Sequence, residues 1–258
     1  MSSAVLTKDL AERRLPVLVL GGILAVFTVA ALAISAGMAD TIADLTEGFP
    51  DALNAFIGAD VPGGYVVGEA FNLIAPLALV TYAVLTGAAA VAGEEEKGTM
   101  DLLAAQPVTR RAILAQKAGG LAIALICSVA LFGVGAAASS ALFGIGVATT
   151  GIVATCVQLL LLAAAFGAVT LAAGAATGKP SLAAGVGGVA AAISYVTNAM
   201  LPLAGLDGWA RLSPWHYYSG SNPLLNGLNL AHVLALGVLT VGALAVAFVA
   251  FERRDLKG

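Results

Sequence analysis

Gly93-Glu-Glu-Glu-Lys-Gly-Thr-Met-Asp-Leu-Leu-Ala-Ala-Gln-Pro-Val-Thr-Arg-Arg-Ala-Ile-Leu-Ala-Gln-Lys117 is a polar interruption between two long apolar segments. Gly93 is expected to end the first apolar helix, leaving Glu94, Glu95 and Glu96 in water. Gly98 breaks the helix, and Thr99 is placed to N-cap a short segment from Met100 to Gln106. Met100, Leu103 and Ala104 fall on one stripe of that segment and Asp101 on another, so it reads as an amphipathic helix. Pro107 stops it. Thr109 is then the N-cap of the next long helix, with Val108 and Ile113 spaced for a hydrophobic staple. The stretch reads as span, short surface helix, span.

Composition agrees. The chain has 258 residues, of which 60% are hydrophobic and 10% charged, against about 25% charged in soluble domains. The fold class is therefore an all-α integral membrane protein, a single transmembrane domain over residues 1–258 with six spans. Apolar runs place the spans at 15–37, 66–92, 112–137, 151–176, 182–203 and 230–251. The first run exceeds the roughly 7–15 residues of a signal core and matches the ~20 that cross a bilayer. It is read as an uncleaved span. Before it, Leu6, Leu10 and Ala11 are spaced for one face of a short surface helix, with a solvated tail as the other reading. Pro76 should kink the second span.

Two long loops, 38–65 and 204–229, and a short Gly- and Ser-containing connection, 139–150, join spans on the opposite side. The first holds Asp40, Asp44, Glu47, Asp51 and Asp60 with no Lys or Arg, and Ile42, Leu45, Phe49, Leu53 and Phe56 suggest an interfacial helix. Small residues four apart (Gly133 with Ala137, Ala163 with Gly167, Gly174 with Gly178) allow close helix packing in lipid. Cys127 and Cys156 sit in apolar segments and read as packing residues.

With six spans, Lys8, Arg13, Arg14, Lys97, Arg110, Arg111, Lys117, Lys179, Arg253, Arg254 and Lys257 share one side, and only Arg211 is on the other. The positive-inside rule makes the first side cytoplasmic. Both termini and the Gly93–Lys117 hinge are then cytoplasmic.

Several chemistries lack their residues. Ala173 to Pro180 looks like a phosphate loop, but its first glycine is displaced and Pro180 stands where a Ser or Thr must hold magnesium. The chain is expected to carry no ATPase of its own. The spans are nearly free of ionisable groups, which disfavours an ion relay. No metal-ligand or catalytic set is evident. Arg211 to Asn222 contains Pro214, Trp215, His216, Tyr217 and Tyr218. These residues read as an aromatic belt at headgroup depth or as an outer gate over an exit path.

Gly93-Glu-Glu-Glu-Lys-Gly-Thr-Met-Asp-Leu-Leu with the following Gln-Pro-Val-Thr-Arg-Arg resembles the hinge of the ABC-2 type permeases. These are the membrane subunits of ATP-binding-cassette exporters. The Leu212-Ser-Pro-Trp-His-Tyr-Tyr loop and the Phe251-Glu-Arg-Arg-Asp-Leu end are also similar, and the resemblance spans the whole chain. It implies a permease in the cell membrane that forms the translocation path with a second copy of itself or with a similar permease. A cytoplasmic ABC ATPase would bind ATP and Mg, and membrane lipid would surround the spans. No nucleic acid is implied. The hinge becomes the coupling segment, 93–111, with Glu94, Glu95, Glu96, Gly98, Thr99, Met100, Leu102, Leu103, Pro107, Arg110 and Arg111 as docking residues. The glutamates would pair with basic groups on the ATPase, and Met100, Leu102 and Leu103 would fill its groove. The alanine-rich spans suit a lipophilic or drug-like cargo. A membrane scaffold and a secondary transporter are the other readings.

Overall fold

In lipid, a long apolar segment can satisfy its backbone groups internally only as a helix or in a closed barrel. In this computed structural model, which describes residues 4–46, 48–50, 53, 64–100 and 108–254, the apolar runs form helices. Six are long and apolar enough to cross a membrane: Val5–Ile34, Val67–Ala90, Arg110–Phe143, Thr149–Thr177, Pro180–Ala204 and Leu230–Arg253. Each expected span has its helix, but several ends differ. Ala4–Thr46 is one helix of 43 residues, about 65 Å long at 1.5 Å per residue. The N-terminal segment is thus continuous with the first span instead of forming a separate surface helix. Its buried face carries Val5, Asp9 and Val17, while Leu6 and Leu10 are half-buried and Ala11 is exposed. Ile42 and Leu45 extend the same helix, and Phe56 lies outside the described residues. The third helix runs past Ala137 to Phe143 and ends at Gly144, whose φ of 64° is the left-handed cap that glycine favours.

The second span is composite. Gly64–Glu69 is α-helical, Ala70–Ile74 forms a π-helical turn, and Ala75–Ala90 is α-helical again. Pro76 accounts for part of this. In a π turn the carbonyl of residue i takes the N–H of residue i+5, and Ala75 N–H indeed bonds to the Ala70 oxygen. The Phe71 carbonyl would need residue 76, and a proline has no N–H to give. The Tyr218 hydroxyl donates to Phe71 O in its place. A distant loop therefore satisfies the carbonyl that Pro76 leaves open.

The fourth span is the hub. The second, third, fifth and sixth spans all pack on it, while the first lies along the third. Close approach is specific at one crossing: a Cβ on Gly87 would stand 2.6 Å from the Gly167 carbonyl oxygen. One member of the expected Ala163 and Gly167 pair therefore sits where the second and fourth backbones touch. Gly178, in the phosphate-loop look-alike, is the cap of the fourth helix: its φ is 65° and its N–H bonds to Gly174 O. Apolar packing divides into two clusters. One fills the middle and far end around Leu79, Phe132, Leu159 and Trp215. The other, at the end carrying the termini, gathers Val5, Met100, Ile113, Leu114, Leu171 and Phe251. Cys127 and Cys156 are free thiols, the first exposed and the second half-buried.

Candidate functional site

The hinge begins where the second helix breaks at Val91 and restarts as Ala92–Glu96. Gly98, at φ 66°, closes this turn in a Schellman arrangement. Thr99 N–H bonds to Glu94 O at 2.9 Å and Gly98 N–H to Glu95 O at 3.0 Å. The hinge restarts at Thr109, whose side chain accepts from Ala112 N at 3.2 Å. Val108 and Ile113 share the terminal-end cluster, as a staple requires. The segment expected as the amphipathic helix, with Leu102, Leu103 and Pro107, lies outside the described residues.

The glutamates do not all stand in water. Only Glu96 is exposed; Glu94 is buried and Glu95 half-buried. Glu94 meets the ammonium of Lys117 on the third span at 2.7 Å. Lys117 also reaches Asp9 on the first span, at 3.2 Å. Asp9 in turn takes a two-pronged contact from Arg13, at 2.6 and 3.2 Å. The Thr99 hydroxyl donates to the second oxygen of Glu94. Two carboxylates face one ammonium and one guanidinium, so the cluster sums to zero charge. Burial of charge in lipid or protein demands such pairing. Gly120 makes room for it: a Cβ there would lie 2.0 Å from Asp9 Oδ2.

Burial disfavours the charged form of Glu94, but hydrogen bonds from Lys117 and Thr99, with the Lys117 charge, outweigh it and hold its carboxyl below the usual value. The sign of the pH dependence follows. A depressed carboxyl contributes stability that is full above its unfolded pKa, about 4.3, and is lost as pH falls through the lower folded value. Thermal unfolding followed from pH 7 to pH 3 should show a loss of melting temperature confined to the acidic end. In Glu94→Gln that loss should be smaller.

Glu95 holds a second anchor. It pairs with Arg254 at the end of the sixth span. Arg254 also donates to Gly174 O at 3.4 Å, on the last turn of the fourth helix, where cations complement the helix dipole. Arg110 donates to the Arg254 carbonyl at 2.8 Å, and Arg111 pairs with Glu252. Both arginines thus tie the start of the third span to the end of the sixth. Met100 is 2% exposed and lies in the apolar cluster, so it is not presented outward to fill a partner's groove. Glu96, Lys97 and Gly98 remain exposed.

Asp9, Lys117 and Arg254 were not among the residues singled out by sequence. Asp9 had a readable signal, since Val5, Asp9, Arg13 and Val17 recur four apart on one helix face. Lys117 similarly falls beside Ile113, Leu114 and Leu121, all buried on the third helix. A charge on an apolar stripe points to a partner.

At the far end, residues 207–226 fold into three short helices, Asp207–Ala210, His216–Ser219 and Pro223–Asn226. They do not form an aromatic belt. Trp215 is 1% exposed and Tyr218 fully buried, whereas Trp209 is 61% exposed and alone suits an interface. Pro214, His216 and Tyr217 are half-buried. The Trp215 ring packs edge-on against Tyr195 of the fifth span at 5.1 Å and near Phe166 of the fourth at 6.3 Å. Ser213 and Ser194 bond to each other at 2.7 Å, and Trp215 N–H reaches Ser213 Oγ at 3.1 Å. Gln158, buried in the fourth span, donates to Tyr217 O at 2.8 Å. The loop is therefore pinned into the bundle as a plug. The His216 and His232 rings lie 5.5 Å apart. Burial, reinforced by His232 and Arg211, pushes the His216 pKa down.

Two cavities meet at this plug. One, of about 390 Å³, runs between the second and fifth spans and is lined by apolar groups such as Val80, Val84, Ala191 and Val196. The other, of about 540 Å³, opens at the far end among Asn72, Asn198, Asp207, His216 and Asn226. Tyr195 and Trp215 line both.

Residues 3–256 match the family model described as ABC-2 family transporter protein. No curated protein matches the chain.

Proposed function

Because the chain belongs to the ABC-2 family of transporter proteins and is the multi-pass membrane permease of an ABC-type transporter, we propose that its Gly93–Lys117 hinge docks a cytoplasmic ABC ATPase and transmits the ATP-driven stroke. The observation that carries this is the buried bridge of Lys117 to Glu94 and Asp9. A lever must be stiff at its root. This root is fixed to the first and third spans through Glu94 and to the fourth and sixth through Glu95 and Arg254. A displacement of the hinge would then move four spans together, because packed elements shift as bodies.

The family supports a membrane component without its own ATPase site. ATP and Mg belong on the partner ATPase in this reading. The eleven-to-one Lys and Arg split supports cytoplasmic termini, in the cell membrane. A second permease copy, or a similar permease, completes the path within membrane lipid. The direction is export of a lipophilic or drug-like cargo. The apolar cavity between the second and fifth spans serves as the passage, and Pro214 to Tyr218 as the gate above it.

The test is ATPase capture. Chain purified from its native membrane should bring an ABC ATPase with it. Leu103→Asp, which puts a charge on the expected docking stripe, should reduce that capture at least about tenfold, a cost near 1.4 kcal/mol, while leaving membrane insertion intact. Full ATPase capture by Leu103→Asp would remove the docking role from this segment.

A further inference from the structure

The two cavities, whose walls share Tyr195 and Trp215, describe a cargo with two chemically different parts. Their volumes, about 390 and 540 Å³, lie within the range that holds drug-sized molecules. The first is an open groove, with Leu77, Leu85 and Val196 exposed along it, and it presents aliphatic side chains with the Thr81 hydroxyl as a minor polar contact. The far-end one presents carboxamides from Asn72, Asn198 and Asn226, and one carboxylate, Asp207. Among the described residues lining the two cavities, Asp207 is the single Asp, Glu, Lys or Arg. His216 is the other titratable group facing the vestibule apart from Tyr195. Burial, with the charges of His232 and Arg211, lowers its pKa and so disfavours its cationic form. Arg211 is exposed and does not line the space. At the junction stand Tyr195 and Trp215, rings whose faces attract cations.

On the permease reading above, we propose that the far-end vestibule receives the head of an amphiphilic organic cation, an amine on a drug-sized apolar body. Asp207 is its counter-charge, and Tyr195 and Trp215 form the collar between head and body. The carboxamides supply hydrogen bonds that a charged or neutral head can both use. Asp207 supplies the discrimination, since a carboxylate head would meet a like charge and no Lys or Arg lines the space; Arg211, near enough to act on His216, stands outside it.

The test uses three amphiphiles with one aromatic body and a trimethylammonium, hydroxyl or carboxylate head. Binding to the purified permease in discs of zwitterionic lipid is measured by equilibrium dialysis, with empty discs correcting for partition. The ammonium compound should bind on the order of tenfold more tightly than the carboxylate. Asp207→Asn should bring the two within about twofold, and Asp207→Lys should reverse their order. Asp207 is exposed, and an unchanged melting temperature would confirm that each variant is folded. Equal binding of all three heads in the unaltered chain would overturn the proposal, as would an ammonium preference that survives Asp207→Asn. Neither result bears on ATPase capture, which judges the permease reading separately.

Discussion

Lys117→Met is expected to lower stability by about 3–5 kcal/mol, the usual cost of removing one partner from a buried ion pair. The methionine fills a similar volume, so packing is largely kept and the loss is electrostatic. Asp9 retains Arg13. Glu94 retains the Thr99 hydroxyl and the more distant charge of Lys8, but is left as a buried carboxylate with no cation in contact. The hinge root must then open to water or take up a proton. Thermal unfolding of the purified variant should show the drop, and ATP-driven transport should fall with it. Lys117→Met combined with Glu94→Gln should recover much of the stability, because the stranded charge is gone. It should not recover transport, because the hinge is no longer tied to the first span through Lys117. Single and double variants of equal stability would show that the bridge does not hold the hinge.

Trp215→Ala should cost about 3–5 kcal/mol, the range for emptying a large aromatic site in a core. Its ring is 1% exposed and fills the space between the fourth and fifth spans. Removing it would widen the junction between the two cavities, whose walls it shares with Tyr195. The variant should therefore show two changes together: a lower melting temperature and faster leak of a small lipophilic dye through reconstituted vesicles. Trp215→Phe should restore most of the stability and the seal. If Trp215→Ala melts lower but leaks no faster, the ring is packing only and the gate lies elsewhere.

Much of the architecture was legible because lipid leaves the backbone few options. Six apolar runs became six helices, and the caps at Gly98 and Thr109 fall where their side chains and dihedral freedom put them. What was not legible depended on contacts between distant residues. Glu94 looks like a solvated charge until Lys117, one span away, is brought against it. Met100 looks like an exposed knob until the fold gathers it into the buried cluster that holds Val5 and Phe251. Trp215 and Tyr218 have the composition of an interfacial belt, and only their pairing with Tyr195 and with the Phe71 carbonyl makes them a buried plug. That last contact is half visible in sequence. Pro76 announces a missing N–H in the second span, but nothing local says that Tyr218 will satisfy the carbonyl it leaves.

The central claim is that an ATPase sits on the Gly93–Lys117 hinge at the end carrying the termini. Site-specific photo-crosslinking tests it most directly. A photoreactive residue is placed in turn at exposed Glu96, exposed Lys97 and, as the far-end control, exposed Trp209. In native membranes, positions 96 and 97 should form a covalent product with an ABC ATPase, and position 209 should form none. An ATPase product from position 209, or none from 96 and 97 while the ATPase still co-purifies, would contradict this placement.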